Sequence, residues 1–355
     1  MNMNNILLYL SLLLTSSTAL WTCDDLLGDS LCDLTVKEDS VKVQGEDLVY
    51  WVYQKSNPEP SDSGLPVVMI NGGPGFPHNY LLPLKQAACS GRKIIFYDQV
   101  GTGRSSICPP VEEGENPNYC GVDEDHDYLL TLEYYPTEVE LLVEALDLVD
   151  TGYHVFGHSW GTIVGEMFAA RRPPGLVSLV LGGALANAQV YIDAQWDPVE
   201  GNLGTLPQIM QDTIKLYEEA EDFENELYLK IVEDLTAQFT VRTFPPPACV
   251  TYCSTVFNEE VYVRMQGPSE FSITNSVMAS MDLTPELRNI TVPVLLTNGK
   301  YDTMRGPNIR SMVAEIADVE TMMFERSAHM TMVDQPIEMN NALVNWWATV
   351  EMNLI

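Results

Sequence analysis

Short, continuous apolar runs alternate with helically spaced ones along most of this chain. Val67 to Ile70, Lys93 to Tyr97, Tyr153 to Phe156, Val177 to Leu181, Val294 to Thr297 and Thr321 to Phe324 are each four or five residues long. They are rich in Val, Ile, Leu, Phe or Tyr and bounded by Gly, Asn, Asp or Pro. Runs of this kind predict strands buried on both faces of a parallel sheet. Between them, Thr137-Glu138-Val139-Glu140 reads as a capping box, and Val139, Leu142, Val143, Leu146 and Val149 then recur at helical spacing up to Gly152. Further helices are expected over Thr162 to Arg171 and Pro336 to Asn353. Upstream, Ser40 to Lys55 alternates around Gly45-Glu46-Asp47 and predicts an antiparallel hairpin. The whole pattern is that of an α/β fold, a mainly parallel sheet flanked by helices.

The rhythm stops between about Leu185 and Ile290. That segment carries helical patterns, the punctuation Pro245-Pro246-Pro247 and no buried-strand run. From Asp197 to Asp234 it holds eleven Asp or Glu and two Lys, which suits either a solvated helical surface or an insertion that covers a site and attracts cations. The expected organisation is a sheet domain made of residues 20–184 and 291–355, with residues 185–290 as a helical cap insertion.

Composition narrows the function. The 355 residues carry 50 Asp plus Glu against 18 Lys plus Arg, a net charge of −32, which leaves no basic face for nucleic acid and disfavours anionic membrane surfaces. With 46 % hydrophobic and 19 % charged residues the chain has material for a large core. The apolar run Ile6 to Leu14, followed by small residues up to Ala19, reads as a signal peptide over residues 1–19 and is too short to span a bilayer. No later stretch spans one either, so no stable membrane association is expected. The localisation implied is secreted, or within the secretory or endolysosomal pathway. Seven cysteines follow the leader, so disulfides are expected, their pairing stays open, and the odd number leaves at least one thiol over. Cys249 and Cys253 have no nearby His and no second pair, so no metal is expected. Asn289-Ile290-Thr291 is a glycosylation sequon, meaningful in a eukaryotic secretory pathway.

The chemistry concentrates where strands meet helices. Gly157-His158-Ser159-Trp160-Gly161 lies between the strand Tyr153 to Phe156 and the helix that follows, the context in which G-x-S-x-G is a nucleophile elbow. Ser159 is therefore the expected nucleophile, and it needs a base. Of the histidines at 78, 126, 154, 158 and 329, only His329 follows a late strand, at the carboxyl end of the sheet where ligands collect. Asp302, just after Val294 to Thr297, is the expected acid that orients it; Asp318 belongs to a helix-to-strand turn and Asp334 lies beyond the His. An oxyanion hole is expected from the backbone amides of Trp160 and of Gly73 in Asn71-Gly72-Gly73-Pro74-Gly75. His158 is expected to pack beside the elbow. Gly101-Thr102-Gly103 lacks the third glycine of a dinucleotide fingerprint and reads as a turn. Met312, Met322, Met323 and Met332 read as core filling. No organic cofactor is implied.

These residues carry a resemblance. Asn-Gly-Gly-Pro-Gly at 71 to 75 with His78-Asn79-Tyr80 behind it, Asp98-Gln99-Val100-Gly101-Thr102-Gly103-Arg104-Ser105, the elbow, Met265-Gln266-Gly267-Pro268-Ser269-Glu270-Phe271 and the Asp302 and His329 segments resemble the proline iminopeptidase family of α/β-hydrolases, near the tricorn-interacting aminopeptidase branch. The resemblance spans roughly Val67 to Pro336. It implies an α/β-hydrolase fold with a helical cap and removal of an N-terminal residue, often proline, from short peptides, with Glu270 binding the substrate amine.

Two positions depart from the family pattern. Val100 stands where the family usually has Arg, and Thr303 where it commonly has a second amine-binding Glu. A charge-assisted hydrogen bond is worth about 1.5 to 3 kcal/mol, so losing one weakens selection for free N-termini unless another acid such as Glu233 or Asp234 substitutes. The readings are thus a serine aminopeptidase, an esterase or amidase acting on small uncharged substrates, and a non-catalytic binding protein on a hydrolase scaffold. Neither the preferred residue nor the oligomeric state follows from the sequence.

Overall fold

The computed structural model describes residues 21–354 apart from Ser61, Glu113 and Arg305. The expected signal peptide lies outside the described residues. Eight strands form one sheet: β1 Leu34–Val43, β2 Glu46–Lys55, β3 Val67–Ile70, β4 Ile94–Tyr97, β5 Tyr153–His158, β6 Leu176–Gly182, β7 Val294–Gly299 and β8 Val319–Phe324. Their order is β1-β2-β4-β3-β5-β6-β7-β8. The β1–β2 and β2–β4 pairs are antiparallel and every later pair is parallel.

Alternation along the central strands sends side chains to two separate cores. Val67 and Met69 of β3, with Ile94 and Phe96 of β4, pack under Leu343 and Trp347 of the last helix, Pro336–Met352. Val68, Ile70, Ile95 and Tyr97 point the other way, toward Leu142 of Tyr135–Ala145 and Ile163 of Trp160–Ala170. Both faces are covered, which is why these strands read as unbroken apolar runs. A buried cluster pins the last helix to the sheet. Glu351 Oε1 accepts from Arg92, His154 and the Leu65 amide, each at 2.9 Å.

Some boundaries and burials differ from expectation. β8 is an edge strand, so of Thr321 to Phe324 only Phe324 is buried, and Met323 is 52 % exposed instead of filling a core. The hairpin turns at Gln44-Gly45, with φ of 53° and 97°, one residue earlier than Gly45-Glu46-Asp47 suggested. No capping box forms at Thr137, because the helix already starts at Tyr135 with Pro136 in its first turn, and Glu140 instead pairs with Arg171. That helix stops at Ala145, short of Val149. Asp147 turns left-handed at φ 54° and the Leu148 amide bonds back to the Val143 carbonyl.

Between β6 and β7 the chain contributes no strand to the sheet. The helices Ala188–Gln195, Gln208–Glu219, Glu226–Phe239, Ala248–Val256 and Glu259–Met265 lie there. Leu203, Ile214, Tyr228, Leu235 and Phe271 form a third small core within it. Six cysteines pair as Cys23–Cys249, Cys32–Cys89 and Cys108–Cys120, while Cys253 is a free, buried thiol. Cys249 thus bonds to the N-terminal segment and is no partner for a metal. Among the described residues no group of His, Cys, Asp or Glu is placed to hold one, and no helix is long and apolar enough to cross a membrane.

Candidate active site

Because β3 and β5 to β8 run parallel, their carboxyl ends open on one edge of the sheet, and the chain's reactive groups gather there. At the end of β5, Ser159 adopts φ 55° and ψ −125°, a conformation that costs a non-glycine residue energy and holds its side chain out of both strand and helix. Close packing forces the flanking glycines. A Cβ on Gly157 would lie 2.2 Å from the Gly161 carbonyl oxygen, and one on Gly161 would lie 2.3 Å from that of Ile70. Ser159 is 7 % exposed, and its carbonyl is held by both the amide and the hydroxyl of Thr162 at 2.8 and 2.7 Å.

His329 sits past β8. Its ring Nδ1 is 2.7 Å from Asp302 Oδ1, which also accepts from the Met304 amide at 2.9 Å. Both side chains are buried. The competing Asp334 is spent on backbone, accepting from the amides of Ala328, Arg242 and Thr243. Gly183 leaves room for the pair, since a Cβ there would meet the His329 ring at 2.6 Å. His329 Nε2 is buried and makes no hydrogen bond among the described residues. Ser159 and His329 share no hydrogen bond here, and catalytic contacts of this kind are often long without substrate and tighten when it binds. Burial pulls the imidazole pKa down, but the Asp302 charge and hydrogen bond, helped by the charge of Glu270, outweigh it and leave the pKa raised.

The glycine loop closes over the nucleophile. A Cβ on Gly72 would lie 2.8 Å from Ser159 Cβ, so only glycine permits the approach. The Gly72 amide is taken by Tyr80 Oη at 2.5 Å, while among the described residues the Gly73 and Trp160 amides have no acceptor. Sequence reasoning overlooked the side chain that aligns the two donors. Buried Gln99 donates to the Asn71 carbonyl at 2.9 Å and accepts from the Trp160 indole at 3.0 Å, tying the loop to the elbow. Its signal was a polar residue two positions past the end of a buried strand.

Glu270 is brought to the same place. Its Oε1 accepts from Tyr262 Oη at 2.9 Å. Burial raises its pKa, while the neighbouring His329 charge and the Tyr262 bond pull the other way. Thr303 is fully buried, with its hydroxyl 3.4 Å from Asp302 Oδ1. Glu233 and Asp234 instead pair with Lys230 and are not among the charges acting on Glu270. At the other departure, Val100 is buried and its amide donates to Glu138 Oε1 at 2.9 Å.

The model of the alpha/beta hydrolase family matches residues 67–342. Proline iminopeptidase of Thermoplasma volcanium is 26 % identical over 315 residues, 88 % of this chain and 96 % of that protein. Proline iminopeptidase of Heyndrickxia coagulans is 29 % identical over 276 residues, 78 % of this chain and 88 % of its own. Among solved structures, proline iminopeptidase of Mycobacterium smegmatis superposes with a TM-score of 0.76 at 25 % identity, covering 90 % of this chain and all of that one. The chain thus belongs to the alpha/beta hydrolase family, and proline iminopeptidases recur among its relatives.

Proposed function

We propose that this protein is a serine aminopeptidase that releases an N-terminal residue, proline among the candidates, from short peptides. The observation that carries this reading is the placing of one half-buried carboxylate, Glu270, held by Tyr262 and within electrostatic reach of His329. A carboxylate there binds the free ammonium carried by the same residue as the scissile carbonyl. Ser159 Oγ attacks that carbonyl as His329 Nε2 takes its proton, and Asp302 stabilises the imidazolium. The amides of Gly73 and Trp160 receive the oxyanion. His329 returns the proton to the leaving amine, and water then cleaves the acyl-enzyme by the same route. With Ser159 only 7 % exposed, long chains have little room.

A second reading has its own support. Thr303 offers a hydroxyl already directed at Asp302 instead of a second acid, which suits an esterase or amidase of uncharged substrates. Arylamides of Pro, Ala and Leu, each with free and acetylated amino groups, separate the two when assayed beside a nitrophenyl ester. The aminopeptidase reading expects free amines to be preferred by at least about tenfold, the value of one charged hydrogen bond, and Glu270→Gln to erase that preference through KM. Ser159→Ala is expected to abolish every activity. Equal turnover of acetylated substrates and esters would transfer the site to the second reading.

Export is part of the proposal. Three disulfides suit an oxidising compartment, as does the apolar run at Ile6 to Leu14.

A further inference from the structure

Three segments must hold their relative positions for acyl transfer at Ser159: the glycine loop after β3, the elbow after β5 and the His329 loop after β8. One chain of hydrogen bonds joins all three. The Gly72 amide donates to Tyr80 Oη at 2.5 Å, Tyr80 Oη is 3.0 Å from His158 Nδ1, and His158 Nε2 is 3.0 Å from the His329 carbonyl oxygen. Tyr80 and His158 are 3 % and 2 % exposed, so bulk water does not compete for these bonds.

The direction of each proton follows from the acceptor at the end. A carbonyl oxygen only accepts, so His158 carries its hydrogen on Nε2. Burial and the neighbouring His329 hold the His158 pKa down at about 3, so the ring is neutral and Nδ1 is a lone pair. Tyr80 therefore donates to Nδ1, and its oxygen is left to accept from Gly72. We propose that Tyr80 and His158 are positioning residues for hydrolysis at Ser159, locking the oxyanion loop, the elbow and the backbone of the general base into one arrangement. The relay occupies the Gly72 amide and so leaves the next one, Gly73, as the loop's donor to the oxyanion. It also fixes the His329 main chain from behind while Asp302 fixes the ring from the front. A neutral His158, with ring centroids 4.7 Å from His329, sets no like charge against the imidazolium formed during catalysis.

The proposal rests on acyl transfer at Ser159 and not on which substrate is used. The test compares Tyr80→Phe, His158→Leu, His158→Gln and the double variant Tyr80→Phe/His158→Leu. It measures fluorophosphonate labelling of Ser159, kcat and KM on a nitrophenyl ester, and the thermal midpoint. Losing a direct oxyanion donor costs about 100- to 1,000-fold, so loosening its support is expected to cost about 10- to 100-fold in kcat and labelling, with KM changed less than about twofold. Gln keeps one donor and one acceptor and is expected to recover most of the loss. The double variant is expected to match the single ones, because a chain broken once has little left to lose. Wild-type kcat in Tyr80→Phe, a loss confined to KM, or losses that multiply in the double variant would overturn the proposal. If His158→Leu does not fold, Tyr80→Phe and His158→Gln decide. Labelling needs no peptide N-terminus, so it reports on the relay even where the aminopeptidase reading fails.

Discussion

In the proposed mechanism the acid limb of the rate profile belongs to His329, and its neighbours set where it falls. A base must be neutral to act, and this imidazole is held above the ordinary 6.5 because Asp302 and Glu270 favour its charged form against burial. Activity is therefore expected to be full on the alkaline side and to fall as pH drops through a midpoint above 6.5. Glu270→Gln removes one of the charges favouring imidazolium, so the midpoint should move down. A kcat/KM profile on a nitrophenyl ester, which has no amine for Glu270 to bind, isolates this effect. An unmoved midpoint would mean that Glu270 does not act on the base. The candidate triad was legible because each member follows a strand recognisable from its own apolar run. Gln99 and Tyr80 were not, since the partners of Gln99 lie 28 and 61 residues away and the His158 partner of Tyr80 lies 78 away, and they appear only once the sheet has aligned the loops.

At the scale of elements, the helices that flank the sheet carry two buried acids the reaction does not use. Glu138 in Tyr135–Ala145 has one oxygen on the Val100 amide and the Tyr134 hydroxyl close by, and burial outweighs both and lifts its pKa to about 8. Glu166 in Trp160–Ala170 has neither oxygen paired, and burial raises its pKa well above the ordinary 4.5. Both fold in the protonated form and ionise more easily unfolded. Their contribution is thus fully present below about pH 4.5 and, for Glu138, is lost as pH rises toward about 8, at up to about 1.4 kcal/mol per pH unit. Glu138→Gln keeps an acceptor for Val100 and cannot ionise. It is expected to raise the thermal midpoint at pH 8 and to change it little at pH 5; equal shifts at both pH values would show that the carboxyl is not protonated in the native state. The sequence places these acids on predicted helices but not under them. A buried Glu has no periodic signature, and local cues mislead where a stronger constraint acts, as when Pro136 starts a helix before the capping residues at Thr137 and Glu140 can.

Across the whole molecule, the helical segment is attached to the sheet domain at the residues that matter most. Asn258 holds the oxyanion loop from above, its amide donating to the Gly75 carbonyl at 2.8 Å and its side chain to that of Gly101 at 2.9 Å. The end of Glu226–Phe239 holds the base, with the amides of His329 and Met330 donating to the carbonyls of Phe239 and Thr240. Two disulfides brace this arrangement. Cys23–Cys249 ties Ala248–Val256 to the N-terminal segment, and Cys108–Cys120 closes a loop whose Asn116 and Asn118 donate to the carbonyls of Phe257 and Val256. The first joins residues 226 apart and the second residues 12 apart. Chain entropy grows with the logarithm of that length, so Cys23→Ala/Cys249→Ala is expected to lose about 2 to 3 kcal/mol more than Cys108→Ala/Cys120→Ala. Chemical denaturation without reductant measures the difference. Because Ala248–Val256 leads directly into Asn258, Tyr262 and Glu270, the same variant should raise KM for free amines before it lowers the rate of Ser159 labelling. Equal stability losses in the two pairs would mean that the N-terminal segment follows the cap without holding it.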